Sequence, residues 1–342
     1  MHPRAAWGNA SSPHAEGRAQ RQALDRARDS VAAAIRRRRT EVTFVSSGTE
    51  AVNLALFGTR GPLLTWAAEH QAVLGAARRM QALGRDVTIA GVDSRGVVDI
   101  DAITAGIAVV SVGLANNEVG SMQPVREVIA RAHAAGALVH VDACCGPRWI
   151  DVPDGADLVS FSGHKLGAGR GGVLVVADGV RIDPLMFGGP QEWGRRAGHE
   201  DVVAARLVAG AFVAVTSSDA RATRAAAARR HSARLRAVLA ELGGTLTGAD
   251  DRLPNFATCT FAGRKGEDML MALDLAGIAA SSGSACASGS LDPSHVLLAM
   301  GLSMEQALGS LRLTTGYATT DEEIERAVEV LRRVLTRTGA HV

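Results

Sequence analysis

Short apolar runs alternate with longer amphipathic stretches through the first half of the chain, and each run ends in polar residues. Val42–Val45, Leu63–Trp66, Asp86–Ala90, Ile107–Gly113, Ala137–Val141 and Ala156–Phe161 read as strands. Between them, helical patterning covers Gly48–Phe57, His70–Leu83 and Pro124–Ala135, the last with proline in its first turn. Strands separated by helices of this length imply parallel βαβ units, with helices on both faces of one sheet. Thr49, His70, Asn117, Asp142 and Lys165 sit just past the strand ends. In an open α/β sheet, that carboxyl edge is where ligands bind.

The pattern changes further on. A helix from about Glu16 to Arg39 precedes the alternation, and the Arg36–Arg39 run is expected to close it, where cations favour the helix dipole. Beyond Gly188-Gly189-Pro190, long helices are expected over Val202–Ser217 and Arg221–Leu242. Short strands at Ala257–Phe261, Ile278–Ser281 and Gly309–Thr315 then mix with helices near Gly266–Leu275, Pro293–Met300 and Asp321–Thr336. The expected organisation is an N-terminal segment over 1–14, a large domain over 15–215 and a smaller α+β domain over 216–342.

Composition narrows the class. With 47% hydrophobic and 21% charged residues, a sizeable core is available and global disorder is excluded. A net charge of +2, with arginines scattered over alanine-rich helices, argues against a nucleic-acid surface. Four cysteines (Cys144, Cys145, Cys259 and Cys286) are too few for a disulfide scaffold, and their spacing does not suggest zinc. The N-terminus has no apolar stretch behind a basic start, and the most apolar helical run is short and broken by Arg206. The expectation is a soluble cytoplasmic protein with no membrane or nucleic-acid partner and no metal.

The candidate chemistry centres on Lys165, at the end of a strand and flanked by glycines. There it is either a solvated turn lysine or an amine whose pKa is lowered for attack on a carbonyl. Ser47-Gly48-Thr49 ahead of a helix is either an N-cap or an anion cradle. Asp142 is either a cap or the partner of a protonated ring nitrogen, and His70 either caps a helix or serves a site. Anion cradle, carboxylate and amine together are the parts pyridoxal phosphate requires.

The chain resembles the cysteine desulfurases, class V aminotransferase-like members of the fold-type I pyridoxal phosphate enzymes. The resemblance rests on WGNASSPH, FVSSGTEAVNLAL, EHQAVL, NNEVGSMQPV, HVDAC, VSFSGHKLGAGRGG, GGPQEWGRRAG, RLPNFATCTF, SSGSACASGSLDPSHVLLAMG and LRLTTGYATTDEEI, in that order. It implies a fold-type I α/β architecture: a large domain with a mainly parallel sheet, and a smaller C-terminal domain carrying a cysteine loop. It further implies that Lys165 forms the Schiff base with pyridoxal 5′-phosphate, Asp142 keeps the ring nitrogen protonated and His70 stacks on the ring. Gly48, Thr49, Ser162 and His164 would serve the phosphate, while Asn117 and Arg312 would hold the substrate carboxylate. Cys286, in a run of small residues, would take sulfur from L-cysteine as a persulfide and leave alanine. The resemblance also implies a homodimer and a sulfur-acceptor protein, with iron–sulfur cluster biosynthesis among the destinations.

Three departures stand out. The family's opening segment, close to YLDNAATTP, is not in the sequence as given, so either the sequence begins short of it or the pocket lacks one wall. Cys145 stands where the family commonly has a glutamine on the ring oxygen, and His199 where a threonine reaches a neighbouring subunit's phosphate. Two other readings compete: a different pyridoxal-phosphate lyase or aminotransferase, and a weakly active homologue acting as a binding partner.

Overall fold

The computed structural model describes residues 8–216, 218–283 and 292–337. Helix α1 (Ala15–Ala34) starts on His14, whose ring accepts from the Gly17 N–H. After it come β1 (Val42–Val45), α2 (Gly48–Gly58), β2 (Leu63–Trp66), α3 (Gln71–Ala82), β3 (Val87–Ala90) and β4 (Val109–Gly113). Next are α4 (Val125–Ala134), β5 (Leu138–Asp142), β6 (Leu158–Ser162), the single turn α5 (Gly163–Leu166) and β7 (Gly172–Val176). These seven strands form one sheet in the order β1-β7-β6-β5-β4-β2-β3. β2 to β6 pair in parallel, whereas β7 is antiparallel to both β6 and β1. β1 therefore runs with the parallel strands, and only β7 is reversed.

Patterning had not shown β7, because the glycine-rich stretch before it reads as an open exit. It is a tight return instead, with Gly167, Gly169 and Gly171 at φ of 97°, 78° and 81°, values that side-chain-bearing residues rarely adopt. The expected extension of α1 to Arg39 is also corrected. The helix stops at Ala34, Arg36 takes φ 54°, and the arginines pair with carboxylates rather than with a helix end: Arg36 with Asp154, Arg38 with Asp178 and Arg39 with Asp29. Four adjacent cations gain more from separate partners than from one helix terminus.

β1, β2, β4 and β7 are buried on both faces, while edge strand β3 is partly exposed. Apolar residues of α1, α4 and of α6 (Val202–Thr216) cover one face, and those of α2 and α3 the other. The Phe161 and Phe212 rings meet edge to face at 5.1 Å, fixing β6 against α6 one residue before its polar end.

Helix α7 (Ser218–Glu241) leads to β8 (Thr245–Leu246), β9 (Phe256–Thr260), α8 (Gly266–Leu275), α9 (His295–Ala299), α10 (Met304–Leu308), β10 (Ser310–Thr314) and α11 (Asp321–Arg337). β10, β9 and β8 form an antiparallel sheet backed by α7, α8 and α11. In α11, Ile324, Val328, Leu331 and Leu335 recur at helical spacing on the buried side, and three acidic residues occupy its first turn. The expected strand at Ile278–Ser281 is reduced to one bridge, Ser281 with Arg312. From α9 and α10, Val296, Leu297, Met300 and Ala307 pack on Ala68 and Val119, in the loops that leave β2 and β4. That packing seats the second half of the chain against the carboxyl edge of the large sheet.

Candidate functional site

The carboxyl edge opens into a cavity of about 170 Å³. Lys165, on the turn that follows β6, lines it together with Ser162, and Asp142 lines it from the end of β5. Gly48 and Thr49 close one side from the head of α2, and His70 and Asn117 face in from the ends of β2 and β4. Sequence reasoning thus placed six strand-end or helix-head residues in one cavity, with Cys145 and Ser162 beside them.

Local structure explains each placement. The Ser47 hydroxyl, not Thr49, caps α2 by accepting from the Glu50 N–H, so Thr49 is left to the cavity. The first-turn N–H groups of a helix have no intrahelical acceptor and present partial positive charge. Gly48 is required here: a Cβ on it would lie 2.5 Å from Cys144 Sγ and 3.0 Å from Ser162 Cβ. His70 both caps α3, its Nδ1 accepting from the Ala72 N–H at 3.0 Å, and faces the cavity. Burial, then the Lys165 ammonium, holds its ring below the ordinary pKa, so it is neutral with its proton on Nε2.

Asp142 is 6% exposed, and its Oδ1 accepts from the Cys144 N–H at 2.9 Å. Beneath it lies a polar group that sequence reading missed. His140, fully buried in β5, bonds Ser111 Oγ through Nδ1 (2.9 Å) and Ser160 Oγ through Nε2 (2.8 Å), and burial pushes its pKa down to about 4. Its alternation with Asp142 along β5 was the available signal. Asn116 was missed too: its side chain donates to Ala68 O and accepts from the Glu118 and Val119 N–H groups, folding the turn that turns Asn117 inward. Glu69, at the cavity wall, was the third omission.

The remaining candidates lie elsewhere. Arg312 is on β10, where Nη1 donates to the Asn117 carbonyl at 2.8 Å, so it reaches the rim through the second sheet. His164 is exposed on α5 and is not part of the cavity wall, since one helical turn sends it away from its neighbour Lys165. His199 lines a separate cavity of about 250 Å³ with Ser46, Arg196 and Glu200. Cys286 lies outside the described residues. Burial pushes both Cys144 and Cys145 thiols up, so neither is a ready thiolate.

A family model described as class-V aminotransferase matches residues 4–327. A cysteine desulfurase of Gluconacetobacter diazotrophicus is 40% identical, over 97% of this chain and 87% of that protein. One from a Nostoc species is 36% identical over 98% and 87% of the two chains. Among solved structures, a NifS-like protein superposes with a TM-score of 0.89 at 28% identity, covering 97% of this chain and 92% of its own. DndA from Streptomyces lividans superposes with a TM-score of 0.78 at 31% identity, covering 91% and 92%.

Proposed function

The chain belongs to the class-V aminotransferase family, and from that premise we propose the reading that follows. It is a pyridoxal-phosphate-dependent cysteine desulfurase, converting L-cysteine to L-alanine and passing the sulfur on. The observation that carries the site assignment is the meeting of an amine, a buried carboxylate and a helix head in one cavity. That donor set fits the cofactor, with a positive helix head for its phosphate, Asp142 for its ring nitrogen and Lys165 for its carbonyl carbon. The close approach of Gly48 to Cys144 and Ser162 is the cradle that a Cβ would obstruct.

When bound, the cofactor supplies an electron sink for bonds broken at the substrate's α-carbon. Lys165 Nζ anchors it covalently and then carries the proton at that carbon. Asp142 holds a proton on the ring nitrogen, and neutral His70 offers its flat face. Gly48, Thr49 and Ser162 would take the phosphate at the head of α2, a role in which exposed His164 has no share, and Cys145 would stand by the ring oxygen. Arg312 and Asn117 hold the substrate carboxylate, a task suited to the guanidinium fork. The Arg312–Asn117 bond supports that pairing by holding both at one rim.

Cys286 is assigned the sulfur. Its thiolate attacks the substrate sulfur, the substrate's carbon–sulfur bond breaks with its electrons returning to carbon, and a persulfide remains on the protein. Gly283, three residues earlier, is held at the rim, its N–H on Ser310 Oγ at 3.1 Å. A homodimer is supported by α6, which leaves Val203, Leu207 and Val213 exposed, and by Phe187 and Trp193 nearby in sequence; His199 would serve the phosphate of the second copy. We assign residues 15–215 to cofactor binding, 216–342 to the cysteine-bearing domain, and the protein to the reducing cytoplasm on its cysteine usage.

The test is incubation of the loaded protein with L-cysteine, followed by mass spectrometry. Alanine should form, with one sulfur added to the Cys286 peptide, and C286S should abolish both while keeping the cofactor's absorbance. Release of sulfur from C286S at the parent rate would transfer the assignment to a lyase that needs no persulfide.

A further inference from the structure

Glu69 has no part in the reaction as described, yet its side chain stands on the wall of the same cavity. It is 7% exposed, and its Oε1 accepts from the Gly113 N–H at 2.9 Å. Gly113 is paired in register with Asp142 on the neighbouring strand, so two carboxyl groups occupy adjacent strand ends of one buried site. A second anion there would suffer both burial and repulsion from the first. Burial, opposed by the Gly113 N–H and reinforced by Asp142, pushes Glu69 up to about 8. With Oε1 accepting, the proton belongs to Oε2.

The other groups that carry protons around it are Asp142 on β5, Lys165 on α5, His70 at the head of α3 and His295, whose Nε2 lies 2.9 Å from the Glu69 carbonyl. Burial holds His70 below its ordinary pKa and the Cys144 and Cys145 thiols above theirs, so none of these three changes charge near pH 8.

We propose that Glu69 is a positioning residue of the cofactor site, a carboxylic acid kept neutral so that Asp142 is the sole anion facing the cofactor's ring nitrogen. Ionising Glu69 in mildly alkaline solution adds a second negative charge beside that nitrogen and binds its proton more tightly. The inference rests on Asp142 serving the ring nitrogen, and the two fail differently.

The test is read on the protein without and with cofactor. In the cofactor-free protein, infrared difference spectra between about pH 6 and about pH 10 should show a protonated-carboxyl band lost near pH 8. E69Q should lack it, and E118Q should keep it, Glu118 being the other described carboxyl that burial raises. In the loaded protein, the visible absorbance should undergo a transition near pH 8 that E69Q lacks, while E69Q matches the parent below about pH 7. No such band in the parent overturns the proposal even if E69Q does not fold, as does an E69Q spectrum that already differs below about pH 7. If D142N leaves the bound cofactor's spectrum unchanged, the assignment of Asp142 fails instead, while the infrared band still reports Glu69.

Discussion

Replacing Arg28 with methionine should unfasten the loop that delivers Arg196 to the helix head of the site. Arg28 on α1 and Glu192 are 2% and 6% exposed and meet through two bonds of 2.7 Å. Arg28 Nη1 also donates to Val42 O at 2.6 Å, and the Phe44 N–H donates to Glu192 Oε2 at 2.8 Å. Glu192 and Trp193 hold φ of 50° and 62°, a strained geometry that the clip must over-determine. An exposed pair would contribute about 0–1 kcal/mol, but stranding a buried carboxylate costs about 3–5 kcal/mol. At a urea slope of about 3 kcal/mol per M, R28M should lower the midpoint of the cofactor-free protein by about 1 M or more. Exchanging both residues for apolar ones removes the stranded charge, so R28M/E192M should recover at least about 2 kcal/mol relative to the sum of the single losses. The loop also carries Arg196, whose Nε donates to Glu50 Oε1 at 3.0 Å in the first turn of α2, so R28M should weaken cofactor retention as well. A midpoint change under about 0.3 M, or strictly additive losses, would refute the clip.

Two further outcomes follow from buried groups near the site. His140 stays neutral in the fold down to about 4, whereas in the unfolded chain it takes a proton near its ordinary 6.5. Its effect on stability is therefore nil above about pH 6.5 and grows as pH falls to about 4, reaching about 3 kcal/mol, and H140Q should flatten that part of a pH series of urea midpoints; an unchanged slope counts against it. G48A should overpack the cradle against Cys144 Sγ at 2.5 Å, costing about 1–3 kcal/mol and reducing cofactor affinity, and C144A added to it should restore part of both; equal affinity in G48A and parent would show that the cradle has room.

Much of the site was legible because a buried strand with a polar residue at its end is a strong local signal. Asp142 after LVHV and Lys165 after LVSFSGH needed nothing beyond that pattern. What was illegible depends on partners distant in sequence. Glu69 next to His70 looks like one more polar residue until Gly113 and Asp142 are seen beside it. Arg36–Arg39 looks like a helix end because its carboxylate partners lie up to 140 positions away, as between Arg38 and Asp178. β7 was hidden by its own approach, since glycines that usually mark an exit here make the turn back.

That reversed strand also determines how the phosphate end of the site meets the amine. β7 lies between β1 and β6, so the ends of those two strands stand two spacings apart, roughly 10 Å, too far for α2 to begin beside Ser162 by pairing alone. The gap is closed by the turn after β1, which crosses over the first residue of β7. A Cβ on Gly172 would sit 2.5 Å from the Ser47 carbonyl carbon, so the crossing exists only because that residue is glycine. Once across, Gly48 lies against both Cys144 and Ser162, and the head of α2 stands over the ends of β5 and β6 together. Two glycines, by carrying no side chain, thus bring a helix dipole, a carboxylate and a lysine within reach of one small molecule. A substitution at position 172 should disturb phosphate binding before it disturbs the sheet, because Gly172 keeps its strand pairings to Val45 and Ser162 while the turn above it is displaced.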